Sequence, residues 1–98
     1  MVEGMDAARH KQLVGARLRQ AIKAVDATQS EVARALGISP SKLGNWLRGD
    51  NYPDIMALVR LRNRYGITLD WVLAGAVAGL PKGVADCLPA AAKADAAG

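Results

Sequence analysis

Between Thr28 and Gly49 the chain spells out two helix starts and two helix stops, and few folds can satisfy that order of residues. In TQSEVARALG, Thr28 with Glu31 three residues later forms a capping box, each side chain bonding the other's backbone N–H. Gly37 supplies the left-handed stop. SPSKLGNWLRG repeats the scheme. Ser39 is a good N-cap, Pro40 takes the first helical position, where a missing N–H costs nothing, and Gly49 closes the helix.

The faces of these two short helices differ. In the first, Val32 and Leu36 point inward and Ala33 lets a neighbour approach closely. In the second, Leu43, Trp46 and Leu47 cluster on one side at 100° per residue. Ser41, Asn45 and Arg48 fall on the other side, flanked by Lys42 and Gly44. A helix built only for packing would be better served by alanine and leucine. An outer face that must lie against something else accounts for these choices.

Around this pair the remaining sequence is also helical, with no strand signal and no internal repeat. Val14, Leu18, Ile22 and Val25 form one stripe of a first helix over about residues 7–25, with Arg17, Arg19 and Lys23 read as lying away from it. Asp54 caps a fourth helix whose inward stripe is Ile55, Leu58, Leu61 and Tyr65, closed by Gly66. Thr68 caps a short fifth helix, TLDWVLAG. These elements make an all-α domain over residues 7–75. Residues 1–6 are read as loose, and residues 76–98 as an Ala/Gly-rich tail with room for a short helix over 81–88. Beyond Pro89 the composition is low-complexity and expected to be disordered.

Charge narrows the function. From Arg9 to Arg64 there are eleven basic residues against four acidic ones, an excess of seven, while the whole chain carries +4. Such a local excess suits a polyanionic partner. With 98 residues and a single cysteine, Cys87, the chain is one domain without a disulfide framework or a multi-cysteine metal site. No segment reads as a signal peptide or a membrane span, so a cytoplasmic location is expected. Paired carboxylates with a histidine, a phosphate-binding glycine loop and a metal-ligand cluster are all missing from the pattern. No enzymatic activity, cofactor or small-molecule site is therefore expected, and His10 and Cys87 receive no chemical role.

Two short helices joined through ALGIS, the second carrying polar residues outward, form a helix-turn-helix by pattern. Here the sequence resembles the Cro and phage-repressor-like helix-turn-helix proteins, the XRE family. The resemblance rests on TQSEVARALGIS, the RGDNYP loop and YGITLDWVLAG, and covers about residues 13–75. Gln29, Ala33, Gly37, Gly49, Pro53, Gly66, Asp70 and Trp71 fall at family spacing. It implies a five-helix domain that binds operator DNA through its third helix, commonly as a two-fold dimer. Carried onto this chain, it implies that Ser41, Lys42 and Asn45 face the major groove and that Gln29 and Arg48 contact phosphate. Arg17, Arg19 and Lys23 are further phosphate candidates. Trp71 is divided between core and dimer contact, and Leu80, Val84 and Leu88 form a stripe that packs on the domain edge or across a two-fold axis.

Three positions depart from the family pattern. Ile22 and Leu47 stand where a buried Arg–Glu pair is frequent, an exchange that is often neutral or stabilising. Asp50 places a negative charge in a loop that is often basic. Arg62 occupies a usually small position and either snorkels outward or pairs with Asp70. The resulting expectation is a small prokaryotic or phage transcriptional regulator of repressor type, a homodimer on double-stranded DNA. The alternative is a protein-interaction module on the same fold, such as an antitoxin subunit or co-regulator.

Overall fold

Local capping fixes the boundaries of the helices. A computed structural model describes residues 6–88 and contains six helices and no strand among them: α1 (Ala7–Ala24), α2 (Gln29–Leu36), α3 (Pro40–Arg48), α4 (Ile55–Tyr65), α5 (Leu69–Ala74) and α6 (Lys82–Asp86). The expectations for residues 1–5 and 89–98 lie outside the described residues. Asp6, placed in the loose N-terminus by the sequence, is instead the N-cap of α1 and accepts the Arg9 N–H at 2.8 Å. Both halves of the Thr28–Glu31 capping box form, at 3.1 and 2.9 Å. The Thr28 backbone N–H, and after it the Thr28 side chain, hold the exposed Glu31 carboxyl below its ordinary range, because both favour the charged form. Ser39 caps α3 by accepting the Lys42 N–H. Gly37 and Gly49 end α2 and α3 with φ of 71° and 82°, a region that L side chains avoid.

The helices close on one core. Val14, Leu18, Ala21 and Ile22 of α1 meet Val32 and Leu36 of α2, Leu43, Trp46 and Leu47 of α3, and Leu58 and Leu61 of α4. Ile22 and Leu47, the apolar replacements for a frequent ion pair, are both buried. Ile67, Trp71 and Val72 complete the core around α5, and Leu80, Val84 and Leu88 join the same cluster from α6 and its flanks.

Two sequence expectations are corrected here, and an open one is decided. Ile55 does not point inward but is 75% exposed. Six residues at 100° each set it about 120° from Leu61, the centre of the stripe that α4 does bury with Ala57 and Leu58. Arg17 is not an outward residue but is buried. Because α1 packs against α3 on one flank and α5 on another, its buried arc is wider than its apolar stripe. Arg17 lies on the α5 flank, where its guanidinium reaches the Val72 carbonyl. Trp71 is fully buried, so it belongs to the core and has no surface to offer a second chain.

Candidate nucleic-acid interface

The outward face of α3 is held in place from behind by α1. Gly15 meets the end of α3 so closely that a Cβ there would stand 2.6 Å from the Trp46 carbonyl oxygen and 2.7 Å from that of Leu47. Nothing larger than hydrogen fits that contact. One turn later on α1, the Arg19 guanidinium donates to the same Leu47 carbonyl. It thereby satisfies one of the acceptors that the end of a helix leaves open. Past Gly49 the chain crosses against Gln12. Main-chain contacts thus set the height and tilt of α3 on the domain.

On the far side of α3, Ser41, Lys42 and Arg48 are exposed and Asn45 is half-buried. They sit together as the sequence pattern expects, but three of them are already engaged. Lys42 Nζ pairs with Asp54 at 2.6 Å and lies 5.8 Å from the Trp46 ring centroid. Arg48 donates through Nε to Asp50 at 3.2 Å and through its terminal nitrogen to Asn45 Oδ1. A carbonyl oxygen has two lone pairs, so the Asn45 amide keeps one acceptor position and both N–H donors for an outside partner. Asp54, expected to cap α4, makes no capping bond; its carboxylate turns to Lys42 instead.

Beside α3 a shallow cleft is lined by Lys11, Lys42, Asn45, Trp46, Asn51, Tyr52 and Asp54. Lys11 enters it from α1, 5.5 Å from the Tyr52 ring centroid. The preceding residue fixes this loop. His10 bridges the Tyr52 hydroxyl at 2.9 Å and the Leu73 carbonyl at 2.8 Å. A carbonyl only accepts, so His10 Nε2 carries the proton toward Leu73, and in the neutral ring Nδ1 accepts from Tyr52. Lys11, Asp54 and His10 are site residues that the sequence reading gave no such place. The sequence signals were a basic residue within the excess between Arg9 and Arg64 and an aromatic in the loop after Gly49.

The remaining candidates disperse. Gln29 is exposed at the start of α2, where the first N–H groups of a helix face outward. Arg17 is buried against α5, as described above. Lys23 lines a separate shallow cleft with Gln20, Ala24 and Cys87, away from the α3 face. Arg62 is exposed and donates to Asn63 Oδ1 at 3.3 Å, not to Asp70. Leu80, Val84 and Leu88 are spent on the chain's own core, which removes them as candidates for a dimer contact. Among the described residues no His, Cys, Asp or Glu cluster could hold a metal ion, and no helix is long and apolar enough to cross a membrane.

A capped α2, a tight turn through Gly37 and an α3 seated on α1 with its polar face outward define a helix-turn-helix protein. The chain belongs to the XRE-type helix-turn-helix family, whose model matches residues 18–72. It is also similar to the HTH-type transcriptional regulator ImmR of Bacillus subtilis (strain 168), at 35% identity over 60 residues. That match covers 61% of this chain and 47% of the relative, so the shared region spans about half the length of the curated protein. No solved structure matches the chain.

Proposed function

We propose that the chain is a DNA-binding transcriptional regulator of repressor type that lays α3 in the major groove of duplex DNA. The observation that carries this reading is the outward face of α3, with Ser41, Lys42, Asn45 and Arg48 on a helix whose height is set by main-chain contacts to α1. Asn45 suits a bidentate contact to adenine and Lys42 a donation to guanine, with Ser41 adding a less selective bond. Gln29 at the α2 N-terminus and Arg48 at the α3 C-terminus would take phosphates and set the register. The protein would act on the cytoplasmic nucleoid.

A two-fold dimer fits this role, since paired half-sites mirror a two-fold protein. With Trp71, Leu80, Val84 and Leu88 committed to the core, we assign the contact to Ile55 and Met56. These two open α4 and are 75% and 59% exposed. Neighbouring large apolar side chains left in solvent are candidates for a contact surface.

The test is binding of labelled duplexes across a salt series. Neutralising about six to ten phosphates per dimer makes affinity fall by roughly three to five orders of magnitude between 50 and 200 mM salt. A flat dependence, or no binding at low salt, would overturn the proposal in favour of a protein-interaction module.

A further inference from the structure

The polar face of α3 carries its own anions. Lys42 is paired with Asp54 at 2.6 Å, and Arg48 with Asp50 at 3.2 Å. Two cations offered to a polyanion therefore sit beside two carboxylates, and the local charge of the face is near zero. Neither carboxylate has another use in the fold. Asp54 stands at the N-cap of α4 without bonding its backbone, and Asp50 lies in the loop after Gly49. The four side chains are between 47% and 62% exposed, so the pairs add little to stability and can exchange partners at small cost.

We propose that Asp54 is a specificity-determining residue, acting as an internal competitor for the Lys42 cation that meets DNA. The inference rests on the DNA-binding reading above. On an arbitrary duplex no base acceptor stands where Lys42 needs one. Lys42 then stays with Asp54 and makes no contact to the duplex. On a matched site a guanine N7 or O6 replaces the carboxylate at hydrogen-bond distance, whereas Arg48 exchanges Asp50 for a phosphate on any duplex. Asp54 thus suppresses random binding more than matched binding, and Asp50 weakens both alike.

Asp50→Asn and Asp54→Asn test this with the full chain, using a duplex selected from a random pool and a scrambled duplex of equal length. Asparagine matches the shape of aspartate and is an equally good N-cap at position 54, so folding should be retained. Each variant should tighten binding to the scrambled duplex by roughly two- to fivefold, the scale of an exposed ion pair. The salt slope on that duplex should steepen by about one per carboxylate removed. With Asp54→Asn the matched site, where Lys42 already leaves the carboxylate, should gain less, so that the ratio of matched to scrambled affinity falls. Asp50→Asn should tighten both duplexes alike and leave that ratio unchanged. Asp86→Asn is the control for overall charge. It removes one negative charge from α6, where Asp86 faces Lys82 at 3.7 Å, and should leave both affinities as they were. Equal gains from Asp54→Asn and Asp86→Asn, or equal gains from Asp54→Asn on both duplexes, would overturn the assignment while leaving DNA binding intact. No binding to either duplex by the parent chain or the variants would overturn both readings.

Discussion

The indole N–H of Trp71 donates to the main-chain carbonyl of Arg17 at 3.2 Å, and the Arg17 guanidinium returns to the carbonyl of the next residue along α5, Val72. This reciprocal pair docks α5 onto α1. Trp71→Ala should cost about 3–5 kcal/mol, as for other buried aromatic truncations. Trp71→Phe, which keeps most of the ring but drops the donor, should cost about 1–2 kcal/mol. Thermal melts read both. Arg17→Met should keep the stem packed and leave the salt slope of DNA binding unchanged, since the guanidinium faces the core. A shallower slope would return Arg17 to the phosphate contacts.

Gly15→Ala should be more damaging than a single added methyl suggests. The new Cβ would meet two carbonyl oxygens at under 3 Å, and neither is the far end of a flexible side chain. Overpacking of this kind costs about 1–3 kcal/mol, and alanine's helix preference returns only about 1 kcal/mol of that. The melting temperature should drop, and matched-site DNA affinity should drop further than stability explains because α3 is displaced. Equal or higher stability would show that the α1–α3 contact is looser than drawn.

Asn45→Ala and Arg48→Ala should fail in different ways. Loss of Asn45 should cost about 1–3 kcal/mol on the best site, relax preference at one base pair and spare random DNA. Loss of Arg48 should weaken matched and random duplexes together and lower the salt slope by about one. Titration of each variant against both duplexes separates the patterns, and identical profiles would remove α3 from the groove.

A chain ending at Gly79 loses Leu80, Val84 and Leu88, all packed on the core. Each fully buried side chain of this kind is worth about 1.5–3 kcal/mol, an upper estimate for a short segment that must also be ordered. The melting temperature should fall by about 10 °C or more. Sedimentation should be unchanged at equal folded fraction, since these residues face inward. The opposite pattern, unchanged melting with a shift toward monomer, would restore them to a dimer contact.

The capping box gives stability a small acid limb. The Thr28 backbone N–H and side chain hold the Glu31 carboxyl below the ordinary range. The contribution is therefore present above that range and lost as pH falls through the lowered value. Glu31→Gln can still accept the Thr28 N–H but does not titrate. Between about pH 5 and pH 3 its melting temperature should decline less than that of the parent chain. Parallel declines would mean that the box does not respond to protonation.

What the sequence revealed was local. Thr28 and Glu31 bond each other within one turn, and Gly37 and Gly49 stop helices where they stand, so the boundaries of α2 and α3 could be read without a neighbour. The outward face of α3 followed from the same periodicity. The misreadings came from partners distant in the chain. Arg17 is inward because α5 covers a flank of α1 that no stripe marks, and Ile55 is outward because Leu61, not the first apolar residue, centres the buried face of α4. His10 joins Tyr52 and Leu73, 42 and 63 positions away, and no spacing rule connects them. Lys42 and Asp54 meet only because the intervening loop folds back beside α3. The seat at Gly15 was missed because a glycine inside a helix looks like a weakness until the helix crossing it is known.

Gly15 touches main-chain carbonyls of α3 rather than its side chains, so the domain holds that helix without regard to what it displays. Ser41, Lys42 and Asn45 take no part in the seat, and inheritance can treat them as a cassette. If these three positions read the bases as proposed, exchanging them one at a time should shift the binding preference while the fold stays intact. A laboratory library randomised at positions 41, 42 and 45 should likewise return folded members of many preferences, whereas one randomised at position 15 should return almost only glycine.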